Sequence, residues 1–142
     1  MPTLGELDSV ISVGEYDEAV QYFEEKAPGD SGISKRYIVE TGGSVKQTPL
    51  HIFNASLALG YFPKTWRDAK VVMVPKKSKS VSVVDFCPIS LLEVPGKLLE
   101  KIIGTRLQAR LESFWVFQNH QFGFRGKRGC RKAIDMGHEL ME

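Results

Sequence analysis

Residues 69–111 read AKVVMVPKKSKSVSVVDFCPISLLEVPGKLLEKIIGTRLQARL, and this stretch decides the fold. Its first part, Ala69 to Pro75, is dense in β-branched residues, which suit a pleated, half-packed surface. The lysine- and serine-rich KKSKS that follows is turn-like and solvated, and a second strand-forming run lies near Asp85 to Leu91. Together they predict one β-hairpin. The remainder changes period: Leu98, Leu99, Ile102, Ile103, Leu107 and Leu111 recur every three or four residues, the stripe of an amphipathic helix. Pro95 is compatible with that helix because it falls in the first turn, where its missing N–H costs no hydrogen bond. The apolar stripe is expected to pack against the hairpin, giving an α+β fold, mostly helical with one β-hairpin.

Working toward the amino terminus, Thr48-Pro49 is a good cap and first-position pair, Leu50, Phe53 and Leu57 share a helical face, and Gly60 suits a left-handed C′ position. Further upstream, Ser12 and Glu15 stand at capping-box spacing and predict a helix start. Tyr16, Ala19, Val20, Phe23 and Ala27 continue it, with Pro28-Gly29 as the expected stop. Asp30 to Gly43 is expected to be loop around one short helix. Working toward the carboxyl terminus, a final helix is expected to begin near Gly129.

The chain has 142 residues, enough for one domain with a modest core, and its 42% hydrophobic and 25% charged content is ordinary for a soluble protein. The longest uncharged run, Thr48 to Pro63, is too short and too polar to span a bilayer, which needs roughly 20 apolar residues. Neither a membrane partner nor a secretory leader is expected, which makes an intracellular location the default. Cys87 and Cys130 lack disulfide-framework or zinc-site spacing and are expected to be free thiols. The net charge of +2 conceals an asymmetry: residues 1–60 hold 4 Lys/Arg against 9 Asp/Glu, and residues 61–142 hold 15 against 8. A basic half makes a polyanionic partner plausible.

That charge concentrates in HQFGFRGKRGCRK at 120–132, within a span from Ser113 to Ile134 that contains no acidic residue. Arg125, Lys127, Arg128, Arg131 and Lys132 can neutralise phosphates, and the interleaved glycines let backbone amides approach closely. A solvated basic loop with Phe122 and Phe124 in the core has the same composition. The glycines do not have P-loop spacing. Lys76, Lys77 and Lys79 at the hairpin tip fit a triphosphate or simply a charged edge. Tyr61, Phe62 and Trp66 read as aromatic anchors rather than base-stacking rings, and His120 as a polar loop residue.

Five segments in order, KAPGDSGIS at 26–34, FNASLALGYFPKTW at 53–66, AKVVMVPK at 69–76, PISLL with GKLLEKII at 88–103, and QFGFRGKRG at 121–129, resemble the successive amino-terminal blocks of non-LTR, LINE-type reverse transcriptases. The resemblance implies a partial right-hand polymerase, its fingers region, with residues 1–12 an extension and residues 13–142 a reverse transcriptase domain ending before the palm. It implies that the hairpin overlies an incoming deoxynucleotide, with Lys76 facing the triphosphate. It also implies that Arg125, Lys127 and Arg128 lie along the template backbone, and that the partners are an RNA template and a DNA primer.

Three departures qualify this. Cys87 stands where such enzymes carry an arginine, which removes a planar cationic fork from the triphosphate site. Ser31 stands in the place of an aspartate, with Asp30 one position early. Third, phosphoryl transfer to a primer end needs carboxylate-held metal ions, and the chain has no Asp-Asp pair, while Asp135 sits in a helical KAIDMG context. No catalytic residue and no metal ligand is therefore assigned. Mg2+ is expected of the intact family enzyme and no cofactor of this chain alone, which is expected to be inactive. A palm domain would be the natural packing partner, and Leu99, Ile103 and Leu107 are expected to be partly exposed without it. The alternatives are a non-catalytic nucleic-acid-binding module and an inert remnant.

Overall fold

The fold follows from where the apolar stripes meet, as seen in a computed structural model that describes residues 9–24, 27–40, 47–79, 82–126 and 128–139. Outside them lie residues 1–8 of the expected extension, Lys26 of the first block, the Ser80-Val81 part of the hairpin turn, and Lys127. The chain divides into two units, residues 1–103 and residues 104–142.

In the first unit, helix α1 spans Val13–Tyr22 and starts where the capping residues predict, with Ser12 Oγ accepting from the Glu15 amide at 3.2 Å. Its end is a correction to the sequence expectation. The helix stops at Tyr22, and Phe23 turns to an extended conformation that takes its ring into the core at 7% exposure. Lys35 Nζ donates to the Phe23 carbonyl and, at 3.4 Å, to that of Gln21, so groups left without helical partners are served by a side chain. Just upstream, Ile11 is buried and its backbone N–H and C=O both pair with the Asn54 side chain, at 2.7 and 3.2 Å. The packed region thus includes at least one residue of the expected extension.

Helix α2 spans Lys35–Glu40, the short helix expected in that loop. Helix α3 spans Gln47–Leu59 and buries Leu50 and Phe53, with Leu57 packed alongside, the face read from the sequence. It closes in a Schellman motif: the Tyr61 amide donates to the Ser56 carbonyl, the Gly60 amide donates to that of Leu57, and Gly60 adopts φ 58°. Helix α4, Lys64–Arg67, is a single turn that periodicity could not reveal. It sets Trp66 edge-on to Phe53 and Phe62, with ring centroids 5.7 and 5.6 Å apart. Phe62 and Trp66 are structural anchors, as expected, whereas Tyr61 is exposed.

Strands β1 (Lys70–Pro75) and β2 (Phe86–Leu91) pair antiparallel, Lys70 opposite Leu91 and Pro75 opposite Phe86. This is the predicted hairpin. A proline is tolerated in each strand because a two-stranded ribbon consists of edges. Helix α5 spans Val94–Ser113, with Pro95 in its first turn. Among the described residues of the first unit, the expected packing of α5 on the hairpin is not found. Val94, Leu98, Leu99 and Ile102 join Ile11, Tyr16, Phe23, Leu50 and Phe53 in one buried cluster that contains no strand residue, and Val71, Val72, Met73, Val74 and Ile89 are all exposed. The space beside the helix is taken by aromatic rings from α1 and α3. Leu99 is therefore buried, against expectation, while Ile103 is exposed as anticipated.

Glu93, just before α5, is buried at 6% exposure and accepts from the Ser31 amide at 2.9 Å and from its hydroxyl. Ser31, the departure from the first block, thus satisfies a buried carboxylate. Gly29 is required beside it, because a Cβ there would lie 2.6 Å from Glu93 Oε1 and 2.9 Å from its backbone nitrogen.

In the second unit, the chain continues from the carboxyl-terminal half of α5 through a loop to α6, Cys130–Glu139, the predicted final helix. Leu107 is exposed here, as expected. Both cysteines are free and exposed, and no described helix is long and apolar enough to cross a membrane.

Phe53→Ala removes a fully buried ring, so the first unit should lose about 3–5 kcal/mol in urea unfolding; a loss below about 1 kcal/mol would mean that the aromatic contacts do not carry the core.

A candidate nucleic-acid interface

The site residues named from sequence fall in both units. In the first, Lys76 follows β1 directly. Its backbone amide donates to the Asp85 carbonyl at 2.8 Å, and its ammonium donates to the Val84 carbonyl at 3.0 Å. The ammonium is exposed and holds three protons, of which this contact uses one, so it can still meet an anion. A 3₁₀ turn at Val83–Asp85 shapes the return, with a capping box in which Ser82 and Asp85 serve each other's backbone amides. Cys87 pairs across the ladder with Val74 and is exposed.

In the second unit, Arg125 organises the loop between α5 and α6. Its Nε and Nη2 donate to the two carboxylate oxygens of Glu112 at 2.7 and 2.5 Å. Nη1 donates to the carbonyls of Gln118 and Gln121 at 2.9 and 3.4 Å, and the guanidinium lies 5.0 Å from the centroid of Phe117. This is fork-to-fork pairing, the arrangement a lysine cannot reproduce. The Arg125 side chain is 7% exposed. The expectation that Arg125 itself lies against a template backbone therefore meets a different geometry: each of its nitrogens is donating within the protein, and its direct effect is on the shape of the loop.

Arg128 behaves similarly but less completely. Its Nη1 donates to the Asn119 carbonyl, and its guanidinium lies 5.8 Å from the centroid of Phe122. Lys127 lies outside the described residues. Arg131 and Lys132 open α6 and are exposed, as the cations of a phosphate-binding segment must be. Sequence reasoning missed Glu112 as Arg125's partner, although it is the last acidic residue before a long stretch without one. It also left Phe124 as a core candidate, and the ring is in fact wholly exposed. No cluster of His, Cys, Asp and Glu able to hold a metal ion exists among the described residues.

The hydrogen bonds from Arg125 hold the Glu112 carboxyl below the ordinary carboxylate value, with partial desolvation opposing the shift and the charges of Arg125 and Arg128 assisting it. A carboxyl whose pKa is depressed by folding stabilises the fold above its unfolded value. That contribution is lost as pH falls through the depressed folded value.

No protein-family model matches the chain. It is similar to the RNA-directed DNA polymerase from mobile element jockey of Drosophila melanogaster, 34% identical over 122 residues, covering 82% of this chain and 13% of that protein. The probable RNA-directed DNA polymerase from transposon BS of the same species is 40% identical over 75 residues, covering 52% and 8% respectively. The corresponding protein from transposon X-element, also of that species, is 36% identical over 92 residues, covering 64% and 10%. The chain thus spans about an eighth or less of the length of these curated relatives.

The loop should loosen in acid: amide exchange at residues 118–125 is expected to accelerate as pH falls below the ordinary carboxylate range, after correction for intrinsic exchange. In Glu112→Gln the fast exchange should already be present at neutral pH. An exchange rate in that variant matching the unaltered chain at neutral pH would refute the role given to the pair.

Proposed function

The chain belongs to the RNA-directed DNA polymerases of non-LTR retrotransposons, as a segment homologous to part of them, and on that premise we propose that it serves as fingers, holding template and nucleotide for bond formation carried out elsewhere. The observation that carries this reading is the basic segment that follows the Arg125–Glu112 fork. The fork fixes the loop from within, while Arg128, Arg131 and Lys132 supply charge along it without a single acidic neighbour between Ser113 and Ile134. Fixed cations of this kind position a polynucleotide backbone without reading its bases.

In this reading residues 13–142 form part of the polymerase domain, and the RNA template runs along the 120–132 segment. Arg125 acts through loop shape, with Arg128 and Lys127 on the backbone, and a DNA primer pairs with the template. Lys76 faces the triphosphate of the incoming nucleotide. Cys87 weakens that contact, because a thiol opposite Val74 offers no permanent charge. The intact enzyme would use Mg2+ ions on carboxylates to activate the primer hydroxyl and to stabilise the departing pyrophosphate. These 142 residues contain no Asp-Asp pair to hold them, so the chain alone binds without catalysing.

Two measurements test this. Primer extension on an RNA template with deoxynucleotides and Mg2+ should give no product with the purified chain, while an intact enzyme of the family succeeds; incorporation above background would overturn the assignment. Binding of the chain to RNA without metal should weaken steeply with salt. Replacing Arg131 and Lys132 by alanine should reduce the log–log slope by about one to two, and an unchanged slope would remove the 120–132 segment from the interface.

A further inference from the structure

Trp115 and Phe124 share two unusual properties. Among the described residues they are the non-glycine positions with positive φ, at 55° and 60°, and their side chains are also 86% and 102% exposed. Either property alone is common enough. Together they mean that backbone strain is accepted in order to hold a large ring in water, where it gains no burial.

The contrast within the molecule is direct. At the end of α5, the Val116 amide donates to the Leu111 carbonyl and the Trp115 amide to that of Glu112, the Schellman motif seen at the end of α3. The C′ position is Gly60 in α3, as its left-handed conformation favours, and Trp115 in α5. Phe124 is fixed from the helix as well, its carbonyl accepting from Gln108 Nε2 at 3.5 Å. Three other rings of this unit, Phe114, Phe117 and Phe122, each lie against a guanidinium, of Arg110, Arg125 and Arg128. Trp115 and Phe124 have no such cap among the described residues and keep their faces bare.

The chemistry of the surroundings identifies what those faces would meet. The rings stand in a segment without acidic residues, followed by exposed Arg131 and Lys132. A partner must therefore be anionic and must also present flat apolar faces, and a single-stranded polynucleotide does both. A duplex does not, because its base faces are already stacked. We propose that Trp115 and Phe124 are stacking platforms for unpaired bases, accepting any base, while the exposed cations that follow them in the chain, Arg131 and Lys132, hold the phosphates. This rests on the template-binding reading above and adds that the segment selects single strand over duplex.

The test is titration of the whole chain with a labelled 12-nucleotide oligouridine and with an RNA hairpin stem, followed by anisotropy over a range of salt. The variants are Trp115→Gly and Phe124→Gly, chosen because glycine accepts positive φ, so that the fold should be kept and the thermal midpoint held or raised. Each variant is expected to bind oligouridine about tenfold more weakly, with the salt slope unchanged because no charge is removed, and to bind the stem as before. Binding of oligouridine as tight as that of the unaltered chain would overturn the stacking proposal and leave the template reading standing. An equal loss on oligouridine and stem would also overturn it. Absence of salt-dependent RNA binding by the unaltered chain would overturn both readings.

Discussion

Phe53 has no exposed surface, and its ring is gripped between Tyr16 at 5.9 Å and Trp66 at 5.7 Å, so α1, α3 and α4 converge on one point. The helical part of the first unit depends on that convergence. Aromatic rings placed edge to face bury a large area and fix relative orientation, which aliphatic contacts do less well. With the rings in place, the first half of α5 closes the cluster through Val94, Leu98, Leu99 and Ile102. Burial is complete enough at Tyr16 that desolvation, helped by the neighbouring Asp17 carboxylate, raises the pKa of its phenol.

The hairpin lies outside this economy. Its residues contribute nothing to the buried cluster, and an exposed Lys70–Asp30 pair at 3.5 Å adds little. A two-stranded ribbon is marginal on its own, so the ladder and the capped 3₁₀ turn are what define its shape. An element with both faces exposed is suited to meeting something else, and the lysines at its tip favour an anion.

The second unit solves a different problem, that of giving form to a loop with little apolar content. Here one guanidinium replaces a core: Arg125 gathers a carboxylate from α5, two loop carbonyls and the face of Phe117. A sheltered charge held by this many partners is tolerable because each guanidinium nitrogen donates within the loop, and removing one partner would leave the others facing the cost of desolvation. The cations that remain on the surface are then those further along the chain. Exposed charge and loop architecture are thus divided between arginines that composition alone cannot distinguish.

The elements legible in the sequence were those set by neighbours a few residues apart: the start of α1 at its Ser12 cap, the apolar faces of α3 and α5, the left-handed Gly60, the two strands, and the start of α6. The ordered blocks carried the family as well, since they depend on residue identity alone. The tertiary structure decided what depends on distant partners. Phe23 leaves its helix because the core has room for its ring, and α5 packs on α1 and α3 because aromatic rings reach it there. Arg125 turns inward because Glu112, thirteen residues away, faces it across the loop. Trp115 and Phe124 carry positive φ and bare rings, features that no periodicity encodes. Local pattern reports hydrogen bonding and side-chain repeat along the chain, whereas exposure and charge pairing are properties of residues brought together from separate segments.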